Sequence, residues 1–551
     1  MKILTSITVA VVMLASCSKG GGGNTTPASV QLRSATIDAR SFNGNVNDVS
    51  VSPVILLKFS QPLLQSSLAS TVSLTDAALN TTVPLTLSLQ SGDSVLRIQP
   101  ASSLKYISKY YFKVSLGLKS AAGAQLSAVI NRTIVTKIDS TDKFAAISDN
   151  ALLDLVQQQT LKYFWDFGHP VSGMARERNS SGDVVTTGGT GFGIMAIIAA
   201  VDRGFKTRTE GRDRILKITN FLLNNCSSYH GAFAHWIDGS TGATVPFSAN
   251  DNGGDLVETS YLVAGLLCAR QYFNTADATE TDLRNKINTI WDRIQWNWYR
   301  QGNQNVLYWH WSPSVGWAMN MKIEGWNEAL IVYALAASSN TDSIPPIVYT
   351  NGWAKNGGML NGGTFYNYVL PLGPNLGGPL FFAQYSFLGI DPNGLTDQYA
   401  NYKTQVVNHT KINYEYCKAN PNNYFGYSNA CWGLTASDVP GGYNANSPTS
   451  DIAVISPTAA LSSFPYTPTE SMNALKFFYY KLGDKIWKDY GFVDAFRLND
   501  PWFADSYLAI DQGPIIVMIE NYRSGLLWNL FTSCPEIKRG MRRLGFSAPY
   551  L

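Results

Sequence analysis

From Ser148 to the C-terminus the sequence alternates two kinds of helical segment, and this alternation limits the fold more than any other feature. One kind is amphipathic, at about 149–167, 208–226, 281–299, 396–418, 468–482 and 526–543. The other is nearly all apolar and rich in small residues, at about 191–202, 256–270, 328–338, 379–389, 452–463 and 512–523. A helix that is apolar all round must be buried on every side, and an amphipathic helix can cover it. Six of each predict a mainly α architecture: an (α/α)6 barrel over 145–551, with an inner apolar ring and an outer amphipathic one. The alternation lapses between 338 and 379, where Pro345-Pro346, Gly352-Trp353, Gly357-Gly358 and Gly362-Gly363 leave no helical period. An outer helix is missing there or is replaced by an insertion. That stretch and the Asn/Gly-rich 420–450, which carries Trp432 and Tyr443, are expected to be functional loops.

Residues 28–140 have a different period. Val54-Ile55-Leu56-Leu57-Lys58-Phe59, Val95-Leu96-Arg97-Ile98 and Tyr110-Tyr111-Phe112-Lys113-Val114 are short β-branched and aromatic runs, punctuated by Pro53, Pro62, Gly92-Asp93, Pro100 and Gly117. Such strands at short spacing predict a small all-β sandwich, and the run pattern resembles bacterial Ig-like modules. Ahead of it, Lys2, the apolar run Ile3 to Ala15 and Leu14-Ala15-Ser16-Cys17 make residues 1–17 an export signal ending in a lipobox cysteine. The run falls short of the ~20 residues a membrane-spanning helix needs. The expectation is therefore an exported bacterial lipoprotein, periplasmic or outer-membrane anchored, that meets the membrane only through a lipid on Cys17. Residues 18–27, with Gly20 to Gly23, read as a flexible tether. The five remaining cysteines show no C-x-x-C spacing and leave room for one disulfide, for instance Cys417 with Cys431.

Composition narrows the partner. Lys+Arg 42 against Asp+Glu 39 gives +3, which offers no electrostatic footprint for nucleic acid. The chain is low in charge and carries 14 Trp, 28 Tyr and 25 Phe, a composition suited to a neutral, ring-shaped ligand such as a sugar, and equally to a large core. No G-x-S-x-G elbow occurs, and His169, His230, His235, His310 and His409 form no metal-ligand spacing, so neither metal nor cofactor is expected. Val184 to Gly193 mimics a strand, glycine-rich loop and helix. The next segment is another helix, however, so close backbone approach inside a crowded barrel is the favoured reading.

The chemistry concentrates at the starts of two consecutive inner helices. Asp251, Asp255 and Glu258 fall within eight residues, and Asp255 and Glu258, three apart, share a helix face. An N-cap aspartate with a glutamate three residues on is also close to a capping box, which would make the pair structural. Glu324 and Glu328 open the next inner segment, four apart. Parallel inner helices bring their first turns to one end of the barrel, so these carboxylates would converge on one cleft. Glycosidic cleavage needs such a set: one acid of raised pKa to protonate the leaving oxygen and one carboxylate to activate water or attack carbon. Trp309, Trp311, Trp317 and Trp326 surround the second pair and would stack on sugar rings or fill the core. Asp451, Glu470, Asp511 and Glu520 each stand near an apolar helix.

With these residues the chain resembles the glucoamylase-like α/α barrels, specifically glycoside hydrolase family 144, the bacterial β-1,2-glucanases. The motifs are Thr187 to Gly193, Asp251-x3-Asp255-x2-Glu258, Glu324-Gly325-Trp326-Asn327-Glu328, Ser456-Pro457-Thr458-Ala459-Ala460 and Ile510-Asp511-Gln512-Gly513-Pro514-Ile515. The resemblance implies metal-free hydrolysis of β-1,2-glucan or its oligosaccharides to sophorose or short sophoro-oligosaccharides, with inversion. It implies Asp251, Asp255, Glu258 and Glu328 as the catalytic acids, with Glu328 as general acid and Asp255 or Asp251 as base or water-positioning group. Expected substrate contacts are Glu324, Trp326, Trp311, Trp317, Asp451, Asp511 and Glu520, in a monomeric enzyme. An Ig-like module that blocked one end of the groove would favour exo action. The competing readings are an α/α-barrel enzyme of another linkage specificity and a non-catalytic, lipid-anchored glycan-binding protein.

Overall fold

A computed structural model describes residues 28–551; the export signal, Cys17 and the tether lie outside the described residues. The chain divides into two compact units, the first ending at Thr136 and the second spanning Lys137–Leu551. The first is a sandwich of two five-stranded sheets. Strands β1 (Leu32–Ile37), β2 (Arg40–Ser41), β4 (Ile55–Phe59), β7 (Leu85–Gln90) and β8 (Val95–Pro100) form one sheet in the order β2-β1-β4-β8-β7. The other holds β3 (Val46–Val49), β5 (Val72–Asp76), β6 (Thr81–Thr82), β9 (Lys109–Val114) and β10 (Ile130–Thr136) in the order β3-β10-β9-β5-β6. The period of two is visible in β4, where Ile55, Leu57 and Phe59 are buried and Lys58 is exposed, and in β9, where Tyr110, Phe112 and Val114 point inward.

The second unit is the helical barrel. Its outer helices are α1 (Asp149–Trp165), α3 (Arg208–Asn224), α5 (Ala278–Asp292), α7 (Tyr402–Ala419), α9 (Pro468–Lys476), α11 (Leu526–Ser533) and α12 (Pro535–Arg543). The inner ring contains α2 (Thr187–Asp202), α4 (Leu256–Tyr272), α6 (Leu330–Ser338), α8 (Pro457–Leu461) and α10 (Ala509–Arg523). Every residue of α6 is buried, as are nearly all of α2 and α4, and this is why their sequences lack a polar face.

Three segments depart from the regular pattern. The inner segment expected at 379–389 is two 3₁₀ turns, Leu380–Ala383 and Ser386–Leu388, begun at Pro379. The inner helix expected at 452–463 is helical only from Pro457 to Leu461, because proline fits the first helical turn and not an earlier interior. Pro535 likewise divides 526–543 into two helices. Between α6 and Pro379 an outer helix is absent; a short turn at Pro346–Val348, a π turn at Tyr349–Trp353 and the hairpin Thr364–Phe365/Tyr368–Val369 replace it. Among the described residues the five cysteines are unpaired thiols, and no helix is long and apolar enough to cross a membrane.

The glycine-rich run is the first two turns of α2, entered directly from the strand Val184–Thr186 without a loop. A Cβ on Gly191 would lie 2.2 Å from the Tyr261 carbonyl oxygen of α4, and one on Gly265 would lie 2.3 Å from the Gly191 carbonyl oxygen. The two inner helices therefore meet backbone to backbone. An alanine in a helix interior normally gains roughly 0.5–1 kcal/mol over glycine. Here the sign reverses: Gly191→Ala is expected to destabilise by about 1–3 kcal/mol or more, read as a lower urea midpoint, because the new methyl meets main chain that cannot move aside.

Candidate active site

Asp255 caps α4. Its backbone is extended (φ −102°, ψ 113°), and its Oδ1 accepts the amides of Val257 at 2.9 Å and Glu258 at 2.8 Å. Its Oδ2 accepts the indole N–H of Trp309 at 3.1 Å. The short ladder pairing Gly254 with Trp311 and Asp255 with His310 ties this cap to the following loop. Glu258 does not close a capping box. It reaches across to the start of α2, where Oε2 accepts the Gly188 amide at 2.7 Å and the Thr186 hydroxyl at 3.3 Å. The helix crossing makes this contact, since a Cβ on Gly188 would stand 2.6 Å from that same oxygen. A helix N-terminus thus holds this carboxyl.

His235, just ahead of the strand Trp236–Asp238, joins the acids together. Its Nδ1 lies 3.3 Å from Asp255 Oδ2 and 3.6 Å from Asp251 Oδ2, and its Nε2 lies 4.0 Å from Glu258 Oε1. Its ring stacks on Phe247 with centroids 4.4 Å apart and planes 14° from parallel. Burial pulls the imidazole pKa down, but Glu258, Asp251 and Asp255 outweigh it and hold it well above the ordinary value. Burial pushes the Asp251 carboxyl up, yet its contacts with His235 and with His310 Nε2 at 2.9 Å bring it to about 2. Burial raises Glu258, against the pull of His235 and the Gly188 amide and with the charge of Asp255.

Glu328 stands just before α6. Its carbonyl oxygen accepts the Tyr261 hydroxyl at 3.4 Å and the Ser386 hydroxyl. Burial, with the nearby charges of Glu258 and Asp255, pushes its carboxyl up to about 7. Glu258 and Glu328 line the same cleft of about 390 Å³, with His235, Tyr261, Tyr385 and Tyr443. Asp255, fully buried, and Asp251, 4% exposed, stand behind that wall. The convergence expected from two consecutive inner helices is present, and Glu258 is the member of the Asp/Asp/Glu set that reaches the cleft.

A second charged group forms another wall. Arg178 Nε lies 2.8 Å from Glu177 Oε2, and Arg178 Nη1 lies 3.2 Å from Asp438. The Asp438 amide donates to Asp494 Oδ2 at 2.7 Å. Asp494 and Asp511 are both buried and share a hydrogen bond; burial and the charge of Asp438 push Asp494 up to about 7 against the pull of that bond and of Arg178, while burial and the charge of Asp494 hold Asp511 well above its ordinary value. Two carboxyls this close cannot both ionise cheaply.

Several expected substrate contacts lie elsewhere. Glu520, at the opposite end of α10 from Asp511, is fully buried and held by Arg203 at 2.7 Å, so it is part of the scaffold. Asp451 accepts Tyr427 Oη at 2.8 Å and the Ala453 amide at 2.9 Å, which fixes a loop. Glu324 pairs on the surface with Lys355 at 3.2 Å. Trp326 packs on Phe387 and Tyr402 in the core. Trp311 and Trp317 cluster with Trp298 outside the cleft lining, and Asp511 faces Asp494 behind it. His235, Arg178, Tyr385 and Asp494 escape sequence reading because the fold brings their cleft partners from distant segments, and Glu177, which pairs with its neighbour Arg178, carries no pattern that marks it; Tyr443 belongs to the Asn/Gly-rich loop expected to be functional.

Donor atoms of His235, Asp251 and Asp255 lie within 4.8 Å of one another. They are already engaged as an ion-paired group, and an added cation would have to displace both the imidazole N–H and the Trp309 N–H from Asp255.

A glucoamylase family model (Glycoamylase) matches residues 320–535, and a bacterial Ig-like domain model (Big_5) matches residues 27–135. An endo-β-1,2-glucanase of Chitinophaga pinensis, solved with sophorotriose and glucose, is 49% identical at a TM-score of 0.72, covering 74% of this chain and 100% of that one. A β-1,2-glucanase of Parabacteroides distasonis is 37% identical at a TM-score of 0.71, covering 94% of this chain and 73% of that one. An exo β-1,2-glucooligosaccharide sophorohydrolase (non-reducing end) from the same species is 46% identical over 420 residues, 72% of this chain. The match spans 58% of that relative's length.

The raised Glu328 carboxyl has a consequence for stability. A carboxyl whose folded pKa exceeds its unfolded value favours the folded state at low pH, and that contribution is lost as pH rises from the unfolded value towards about 7. Glu328→Gln, which removes the buried charge, should therefore raise the thermal midpoint at pH 8 relative to wild type by more than it does at pH 5. The difference should be about 1–3 kcal/mol, since one pKa unit is worth ~1.4 kcal/mol and partial exposure screens it.

Proposed function

The chain belongs to glycoside hydrolase family 144, the bacterial β-1,2-glucanases, and on that premise we propose that it hydrolyses β-1,2-linked glucan or gluco-oligosaccharides to sophorose or short sophoro-oligosaccharides. The observation that carries this reading is a carboxyl held at about 7, Glu328, lining the same cleft as Glu258 with the ionised Asp251 behind it. A carboxyl near 7 is protonated often enough at neutral pH to act as an acid and gives up its proton readily. Glu328 protonates the leaving glycosidic oxygen as the C1–O bond breaks. A water displaces it from the opposite face, with inversion, and Glu258, the member of the Asp251–Asp255–Glu258 set that lines the cleft, takes the water proton directly or through a sugar hydroxyl, with the two aspartates behind it. Tyr261, Tyr385 and Tyr443 offer rings and hydroxyls to the sugars along the wall. All these groups come from one chain, which fits a monomer.

The reading also takes the protein to be an exported lipoprotein anchored through Cys17, supported by Lys2, the short apolar run and Leu14-Ala15-Ser16-Cys17. Expressed in a bacterial host, the wild type should partition into the detergent phase and Cys17→Ser into the aqueous phase; equal partitioning would remove the anchor.

Incubation with linear β-1,2-glucan, β-1,3-glucan and starch, followed by chromatography, is expected to give sophorose-series products from the first alone. Glu328→Gln and Asp255→Asn should each lose turnover by ~10²-fold or more while retaining oligosaccharide binding. Absence of sophorose-series products would overturn the specificity, and undiminished turnover in both variants would overturn the acid–base assignment.

A further inference from the structure

We propose that His235 is a positioning residue of the cleft: one imidazolium ring gathers the buried Asp251 and Asp255 on its Nδ1 edge and presents its Nε2 edge to Glu258. The inference deepens the hydrolase reading and rests on it. Asp251 and Asp255 stand behind the cleft wall, whereas His235 is 23% exposed at its side chain and lines the cleft. It is the ring through which two buried aspartates act on a cleft they do not line.

The surroundings fix both its place and its charge. Phe247 covers one face in parallel and so holds the plane of the ring, while the carboxylates at its edges select the orientation that turns the nitrogens towards them. The Nδ1 edge meets two carboxylates at 3.3 and 3.6 Å. The 4.0 Å between Nε2 and Glu258 Oε1 is longer than a hydrogen bond. It leaves this N–H free to donate to a sugar hydroxyl or to the attacking water beside Glu258. The titratable groups facing the ring are Asp251, Asp255 and Glu258. His310 lies beyond Asp251, and Glu328, Glu177 and Arg178 line the same cleft. Carboxylates crowded around a neutral ring would repel one another. With a cation among them Asp251 stays ionised, and the upward push of burial on Glu258 is opposed.

The test has two readouts. In ¹⁵N-histidine-labelled enzyme, both ring nitrogens of His235, assigned by their loss in His235→Asn, should remain protonated at neutral pH, where an ordinary imidazole has lost its second proton. Asp255→Asn, which keeps the ring but removes one carboxylate, should bring its titration to lower pH. In the pH profile of kcat/KM on β-1,2-gluco-oligosaccharide, His235→Asn should move the acid limb up by about one pH unit. It should also lower kcat by tenfold or more with KM changed less than threefold. A neutral ring at pH 7, or an acid limb that superimposes on wild type while activity falls evenly at all pH values, would reduce His235 to a structural residue and overturn the proposal. If the wild type leaves β-1,2-glucan uncut, the hydrolase reading fails by itself, and the nitrogen spectra still decide the state of the ring.

Discussion

Everything at the cleft depends on the backbone contact between α2 and α4. Glycines at the crossing let Tyr261 and Gly265 of one helix touch Gly191 of the other. Any side chain there would part the helices and withdraw the α2 N-terminus from Glu258. The Gly188 amide at 2.7 Å would then be lost, and with it the partner that orients this carboxyl into the cleft. The glycine run that looks like a nucleotide loop is a steric requirement of the inner ring, and the anion at that helix end is a side chain of the same chain.

On this scaffold the site solves an electrostatic problem by ordering its charges. Carboxyls crowded into a low-dielectric mouth cannot all be ionised. Asp251 is held low by two histidines, Glu258 is raised, and Glu328, farther from the imidazole, rises to about 7. Divergent acidities in one cleft provide an acid and a base from the same residue type. The far wall repeats the device, with Arg178 holding Asp438 while Asp494 and Asp511 share a hydrogen bond behind it.

The sequence carried this fold and site unevenly, for physical reasons. Inner helices such as α4 and α6 were legible because full burial removes every polar face. The segment at 379–389 has the same composition but begins at Gly377-Gly378-Pro379 and settles into 3₁₀ turns, which composition does not distinguish. Asp255 and Glu258 were legible from their spacing at a helix start, and half of the capping reading holds: Asp255 caps, while Glu258 turns to another helix. Glu520 lies nine residues beyond Asp511, about 13 Å along a helix at 1.5 Å per residue, and so falls at the wrong end of the barrel. Trp326 has the same ring whether it lines a cleft or fills a core. His235 finds its acids 16, 20 and 23 residues away, across loops whose path no local pattern encodes.

The central claim is that the acids from consecutive inner helices surround one scissile linkage. The most direct measurement is a crystal structure of Glu328→Gln with a bound β-1,2-gluco-oligosaccharide. The account predicts a glycosidic oxygen within about 3 Å of the substituted amide, with Glu258 and His235 on the other side of that sugar. An oligosaccharide lying with every linkage beyond reach of position 328, for instance along Glu177 and Arg178 alone, would contradict it.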